Sequence, residues 1–305
     1  MIPAVADRRS RRPAFPLLPS GRPADRPSGI QQPLTIIQFQ AKIEWFFKEV
    51  HMKIAVCMVQ VPATDAKILI RPDGKGIESK DIKFVISPYD EYAIEAGLQL
   101  KEKFGDEVVL ITDGPERSLQ AIREGLALGA DRAVHIPITD TYHDALYIAS
   151  LLSAHLKKEN ADCILFGKLG VGFDNASTGP MTAAMLDLPH VGNVAKMDIE
   201  GTTVKAHREI EGATESYEIQ LPAVLTAEKG LNTPRFASLK GIMAAKKKPV
   251  ETVKPEDLGA PPHALNLDAL QPPPQKAHGK VVTVEDPATA AGDLVKFLRE
   301  EAKVI

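Results

Sequence analysis

The 305-residue chain is poor in cysteine and aromatic residues, with two Cys, one Trp and 5% aromatics. Cys57, within KIAVCMVQV, and Cys163, within ADCILFG, both lie in apolar strand-like runs. They read as buried thiols, which excludes a disulfide scaffold or a cysteine metal pair. Free thiols also indicate a reducing compartment, most simply the cytoplasm. No apolar run approaches the ~20 residues that cross a bilayer, so the chain is expected not to be membrane-embedded. Charge of one sign is not in excess either: a net of -3 gives no footprint for nucleic acid. There is no Walker loop, no G-x-G-x-x-G after the first strand, no metal spacing among the eight histidines and no nucleophile elbow. Side-chain catalysis therefore has little support. What the chain does have, 44% hydrophobic and 25% charged residues, suits one large or two small globular domains.

Residues 1–51 differ from the rest. They hold seven prolines (Pro3, Pro13, Pro16, Pro19, Pro23, Pro27, Pro33), clustered arginines and the only tryptophan, Trp45. No continuous apolar core marks a secretory signal, and Asp7, Asp25 and the prolines argue against an amphipathic targeting helix. Lys48 to Met52 can be encoded as AAG GAG GTN CAY ATG, which contains a bacterial ribosome-binding sequence ahead of Met52. The expectation is a mis-assigned start at Met1, a natural start at Met52 and, if the leader is made, disorder within it.

From Met52 strands and helices alternate. Apolar runs at Ile54–Val61, Val108–Thr112, Ala133–Ile136 and Cys163–Phe166 suit buried strands. Helical periodicity follows at Pro88–Lys103, Glu116–Leu128 and His143–Lys158. Ser87, Pro88 and Asp90 read as a capping box with Pro at the first helical position. Such alternation predicts a mostly parallel sheet covered on both faces, with its ligand site beyond the carboxyl ends of the strands. After about Met181 three or four antiparallel strands are expected, turning near Gly201 and Gly212. From about Pro249 the chain is proline-rich and ends in an amphipathic segment, Ala288–Ala302, an arm suited to docking on its own domain or on another subunit. The domains expected are a leader, 1–51, a nucleotide-binding domain, 52–248, and a C-terminal arm, 249–305.

Two segments carry the functional signal. The first is GKLGVGFDNASTG, Gly167 to Gly179, between a strand and the helix-like Pro180–Leu186. A glycine-rich turn that opens a helix offers backbone N–H groups and a dipole end to an anion, and Ser177 and Thr178 can add hydroxyl bonds. An ordinary strand-to-helix turn capped by Asp174 explains it equally simply. By the strand-end rule, Val59, Gln60, Thr112 to Pro115 and Ser87 to Asp90 should gather near it. The second segment is PAVLTAEKGLNTPRFASLKGIMAAKKKP, Pro222 to Pro249. It presents Leu239, Ile242 and Met243 at helical spacing among Lys240 and Lys246–Lys248, as a surface would to an acidic partner with an apolar anchor. The bland alternative is a surface helix packed on its own sheet.

These residues together resemble the electron transfer flavoprotein beta subunit, over essentially all of Met52–Ile305. The resemblance rests on MKIAVCMVQVP, SPYDEYAIEAGLQLKEK, AIREGLALGADRAVHI, ILFGKLGVGFDNASTGPM, REIEG, VEDP and the block LPAVLTA to LNTPRFASLKGIM. It implies a Rossmann-like, adenine nucleotide-binding α/β fold with a small antiparallel addition and a C-terminal partner-binding arm. It also implies a non-catalytic electron-carrier subunit that pairs with an alpha subunit holding the redox-active FAD, while this chain holds a structural AMP. The AMP site carried over by motif comprises Cys57, Ser87, Pro88, Tyr89, Asp90, Asp113, Gly167, Lys168, Gly170, Gly172, Asp174, Asn175, Ala176, Ser177 and Thr178. Leu239, with Ile242 and Met243 beside it, is implied as the anchor on partner dehydrogenases, such as acyl-CoA dehydrogenases. Electrons would pass on to a quinone oxidoreductase, as in fatty acid beta-oxidation.

The chain departs from the family pattern at Val59, where a lysine is usual, and at Ala63, where an aspartate is usual. It reads GFDNASTGP where AMP-binding relatives typically show DDDCNQTGQ, and Ala213, Tyr217 and Ala244 also depart. The GP ending and Ala176 are similar to electron-bifurcating relatives, in which a second FAD occupies the AMP position and takes hydride from NADH. A third reading, a nucleotide hydrolase or synthetase, would lean on Lys168, which has no Walker context.

Overall fold

The strand Lys53–Met58 (β1) sets the architecture: five of its six residues are buried, so both faces must be covered. In the computed structural model, which describes residues 52–105, 107–139, 142–259, 261–274, 279, 281 and 286–305, β1 lies between two parallel neighbours. These are Glu107–Gly114 (β4) and Cys163–Gly167 (β6). Gln60–Pro62 (β2) and Phe84–Ile86 (β3) form a separate antiparallel pair just beyond β1. The main sheet continues through Arg132–Pro137 (β5), His190–Glu200 (β7), Thr203–Ile210 (β8), Ala213–Gln220 (β9), Ala223–Ala227 (β10) and Val250–Thr252 (β11). Its order among the described residues is β11-β5-β4-β1-β6-β10-β7-β8-β9. Pairing is parallel from β11 to β7 and antiparallel from β7 to β9.

Helices cover both faces. Pro88–Phe104 (α1) and Ser118–Leu128 (α2) bury Ile94, Leu98, Ile122 and Leu126 against Ile54, Val56, Leu110 and Leu165. On the other face Ala145–Glu159 (α3) and Thr178–Leu186 (α4) pack Leu151, Leu152, Leu156 and Ala183 on Val109, Ile111, Ile164 and Val224. Each such aliphatic side chain contributes roughly 1.5–3 kcal/mol by leaving water, which is why alternate strand residues serve two separate cores.

The expected α/β class holds, and the predicted strands and first three helices fall within a few residues of their expected ends. Three antiparallel strands form rather than four. Ala223–Ala227 is buried throughout and joins the parallel part, between β6 and β7. Val250–Thr252 is too short and exposed to stand out in the sequence, yet it closes the far edge beside β5. The helix-like C-terminus forms as Pro287–Lys296 (α6) and continues as a π-helical turn, Phe297–Glu301, with no buried residue in either. The leader, residues 1–51, lies outside the described residues.

Candidate functional site

The chain runs from β1 to β4 and β5 on one side, then returns to β6 and β10 on the other. The carboxyl ends of β1, β4 and β6 thus meet where the winding reverses, the place where open α/β sheets hold ligands. A cleft with ≈ 1010 Å³ of empty space, part of it open solvent, lies there. Cys57, Asp90, Asp113, Gly167, Lys168, Gly170, Asn175, Ala176, Ser177 and Thr178 of the expected set line it.

Asp90 holds this corner together. Its Oδ2 accepts from Val59 N at 2.8 Å and its Oδ1 from Gly167 N at 2.9 Å, so one carboxyl joins the ends of β1 and β6 to the first turn of α1. This overturns the capping-box reading. Ser87 makes no side-chain cap either; its hydroxyl donates to Leu169 O (3.3 Å) and accepts from Val171 N (3.4 Å), tying α1 to the glycine loop. Pro88 does occupy the start of α1. Burial pushes Asp90 up to about 7 against the pull of its two amide partners. Asp113, partly open to the cleft, is pushed up to about 6 by burial. Burial, then Asp113 and Asp90, raise the Cys57 thiol well above its ordinary value, so Cys57 is an inert neutral wall.

The loop between β6 and α4 is a cradle. Gly172, Asp174 and Ala176 all have positive φ (94°, 51° and 49°), and the turn is stapled by Asp174 N donating to Gly170 O at 3.0 Å. Asp174 caps its own loop, accepting from Gly172 N at 3.2 Å, and not α4; Asn175 likewise accepts from Ser177 N at 3.3 Å. No side chain caps α4. Ser177, Thr178 and Gly179 line the cleft, so the uncapped first turn and two hydroxyl-bearing residues stand at its edge. This donor set suits a phosphate group.

Lys168 bends away from a catalytic role. Its ammonium pairs with Glu228 at 2.6 Å and lies 5.9 Å from the Tyr89 ring centroid. A lysine already neutralised by a carboxylate is poorly placed to activate a phosphate, which removes the main support for the hydrolase or synthetase reading.

Sequence reasoning did not single out several residues of the cleft, among them Arg117, His143 and Phe173. Arg117 Nη1 donates to Gln60 Oε1 (2.9 Å), and its guanidinium stacks 3.8 Å from the Phe84 ring centroid. His143 follows β5, and the strand-end rule extended to that strand would have found it. Phe173 is 54% exposed at the mouth, beside Val59 across the space that Gly170 leaves open.

The Pro222–Pro249 segment forms β10, a loop and the short helix Leu239–Ala245 (α5), capped by Ser238, which accepts from Gly241 N at 3.0 Å. Gly241 lies against the Ala127 carbonyl, where a Cβ would come within 2.3 Å, so α5 sits tightly on the end of α2. Only Ala245 of α5 is buried. Leu239, Ile242 and Met243 are 78%, 45% and 59% exposed, and Phe236, unnoticed in the sequence, is 97% exposed. The bland packing alternative therefore does not describe this segment. The basic run divides: Lys248 donates to Leu126 O (2.9 Å) and Ala130 O (2.5 Å), finishing α2, while Lys246 and Lys247 stay outside.

Fold and cradle define an open α/β protein with a glycine-loop cleft at its winding reversal. The family model described as Electron transfer flavoprotein domain matches residues 76–258. The chain is 39% identical to Electron transfer flavoprotein subunit beta of Bacillus subtilis over 261 residues, 83% of this chain and 100% of the relative. The subunit of the same name from Homo sapiens is 37% identical over 241 residues, 77% and 94% of the two chains. That from Syntrophomonas wolfei is 37% identical over 256 residues, 83% and 98%. The chain belongs to the electron transfer flavoprotein beta subunit family, and so is a subunit of an electron transfer flavoprotein.

Proposed function

We propose that this chain is the non-catalytic half of a heterodimer, holding AMP in the cleft while an alpha subunit carries the redox-active FAD. The observation that carries the nucleotide reading is the uncapped start of α4 beside the positive-φ loop at the junction of β1, β4 and β6. The phosphate would lie on the N–H groups of Thr178 and Gly179 and the hydroxyls of Ser177 and Thr178. Asp113, Cys57 and the Asp90-bound strand ends would form the wall. The flavin supplies one-electron exchange; this chain's residues bind, orient and hold the assembly. Leu239, Ile242 and Met243 form the surface offered to acyl-CoA or other dehydrogenases, and the outgoing electrons reach a quinone oxidoreductase. Cytoplasm is the compartment this reading assigns. The domain at 52–248 carries cleft and docking surface, and the arm from 249 engages the alpha subunit through α6, none of whose side chains is buried.

One observation favours a second reading. Val59 and Phe173 give the mouth of the cleft an apolar edge beside the phosphate cradle, which suits a second ring system, as in an FAD placed where AMP would lie. Nucleotide released by denaturation of the coexpressed heterodimer tests both. One FAD and one AMP per complex supports the carrier reading, and two FAD with no AMP replaces it with a bifurcating one. A complex with no adenine nucleotide beyond the alpha-subunit flavin would refute the cleft assignment.

A further inference from the structure

Residues 261–274 of the arm lie back on the domain and are held at two places. At the far one, Leu270 N donates to Gly74 O at 2.8 Å, and Lys75 Nζ donates to the carbonyls of Leu267 and Asp268. The near one is built from histidines at the rim of the cleft. Asp144, the N-cap of α3, accepts from Tyr147 N (2.9 Å) with one carboxylate oxygen and from Ala264 N (3.1 Å) with the other. His263 then inserts its ring over Tyr147, centroids 3.8 Å apart, with Nδ1 3.6 Å from Asp144 Oδ2. Its Nε2 meets His143 Nδ1 at 3.0 Å, and the rings lie 4.6 Å apart.

The proton arrangement follows from the acceptors. His143 Nε2 is 3.0 Å from the Thr139 carbonyl, which can only accept, and 3.2 Å from the Thr139 hydroxyl, which can accept as well as donate, so the arrangement that satisfies both puts the hydrogen on Nε2. Neutral His143 therefore has a bare Nδ1, and His263 Nε2–H donates to it. One extra proton is tolerated: it can sit on His263 Nδ1 facing Asp144, or on His143 Nδ1 with the His263 tautomer reversed. A second extra proton is not. It would set N–H against N–H and two positive charges 3.0 Å apart.

We propose that His143 and His263 form an acid-opened clasp that fastens the C-terminal arm to the rim of the cleft. His143 is the hinge of the device, because it lines the cleft and holds the arm at once. The carboxylate facing the pair is Asp144, at the N-cap of α3, while the charge of Glu256 bears on Tyr147. Burial first, and then the His263 charge, hold His143 below the ordinary histidine value against the support of the Thr139 carbonyl and Asp144. Burial pushes Asp144 upward, but the amides of Tyr147, Ala264 and Leu265 outweigh it, so Asp144 stays ionised below the usual carboxylate range. A basic group whose docked value is depressed makes docking complete above its free value and weaker as pH falls. The arm is therefore fastened at neutral pH and released below about 6.5, by up to about tenfold per pH unit.

Hydrogen exchange on the full chain in its heterodimer, from pH 7.5 to 4.5 and corrected for intrinsic rates, reads the clasp directly. Protection at Ala264 and His263 should fall about tenfold per unit below about pH 6.5, while Leu110 and Leu165 in the sheet stay protected as an internal control. His143→Gln and His263→Gln should each flatten that pH response. NMR titration of the His143 imidazole should place it below the ordinary histidine value. A wild-type arm whose protection is independent of pH, or glutamine variants that keep the wild-type pH response, would overturn the clasp.

Discussion

Arg235 grips Glu95 through two parallel hydrogen bonds, Nε to Oε2 at 2.7 Å and Nη2 to Oε1 at 2.9 Å. Glu95 is 4% exposed on α1, and the same guanidinium also reaches Glu102 about two turns further on. The loop that presents Phe236 and Leu239 is thus fixed to the domain by its arginine, with Asn232 adding a bond from Nδ2 to Tyr92 O at 2.9 Å. A rigid root lets exposed apolar side chains be offered without collapsing onto the nearest helix.

Removing that grip should loosen the presentation before it unfolds the domain. Arg235→Ala leaves the buried Glu95 carboxylate without its bidentate partner, a loss of ~1–3 kcal/mol or somewhat more. Arg235→Lys should recover little, since an ammonium cannot reproduce the fork. The check is denaturant unfolding together with amide exchange across residues 231–241. Full protection of that loop in Arg235→Ala would show that the arginine does not hold it.

Leu239→Ala should weaken capture of a dehydrogenase by roughly 1–3 kcal/mol, the size of an interface hot spot. Phe236→Ala should do so too, because a fully exposed aromatic is the residue type that such surfaces use. Neither change touches the cleft, so flavin spectrum and nucleotide content should stay as in the wild type. Stopped-flow reduction by a panel of acyl-CoA dehydrogenases measures it; unchanged rates throughout would remove the anchor role.

Much of this was legible in the sequence, and the exceptions share a cause. Buried parallel strands announce themselves as unbroken apolar runs, so β1, β4, β5 and β6 were readable, and the strand-end rule then placed Val59, Asp113 and the glycine loop together, while Cys57 came only from the family resemblance. Asp90 was misread because Ser-Pro-Tyr-Asp satisfies a local capping pattern, whereas its actual partners, Val59 and Gly167, lie 31 and 77 residues away. Lys248 looked like part of a charged surface for the same reason: its carbonyl partners, one in the last turn of α2 and one just beyond it, are about 120 residues distant and leave no local trace. Phe173 and Phe236 escaped because a lone aromatic in a loop carries no period. Only exposure distinguishes it.

The buried Asp90 carboxyl makes a pH prediction whose sign can be worked out. Its value is about 7 in the fold, where burial outweighs its two amide bonds, against about 3.9 in an unfolded chain. The unfolded chain loses this proton at lower pH than the folded one, so Asp90's contribution is complete below about 3.9 and declines as pH rises toward 7. Asp113, at about 6, acts with the same sign over a narrower window. Asn at position 90 cannot ionise, and its amide nitrogen leaves one of the two backbone N–H groups unanswered. Asp90→Asn should therefore destabilise the protein more at pH 5 than at pH 8, the difference being on the order of 2 kcal/mol. Urea unfolding of both proteins at the two pH values, with nucleotide removed, tests this; a pH-independent difference would mean that Asp90 is ionised throughout.

Two glycines of the cradle separate space from backbone conformation. A Cβ on Gly167 would lie 2.4 Å from Asp90 Oδ1, 2.6 Å from Tyr89 C and 2.7 Å from Asp90 N, contacts made largely with backbone that cannot yield. Gly167→Ala must push α1 away from β6 and break the Asp90 bridge. It should destabilise the domain by ~1–3 kcal/mol or more and empty the cleft of nucleotide. At Gly172 nothing lies within 4 Å, but φ is +94°. Gly172→Ala should therefore cost only ~1–2 kcal/mol of local backbone strain and weaken nucleotide retention without disturbing the sheet. Thermal unfolding and nucleotide content, measured on both variants in the heterodimer, distinguish the two mechanisms. Equal losses of stability would mean that the close approach of α1 to β6 at Gly167 is not what forms the wall of the cleft.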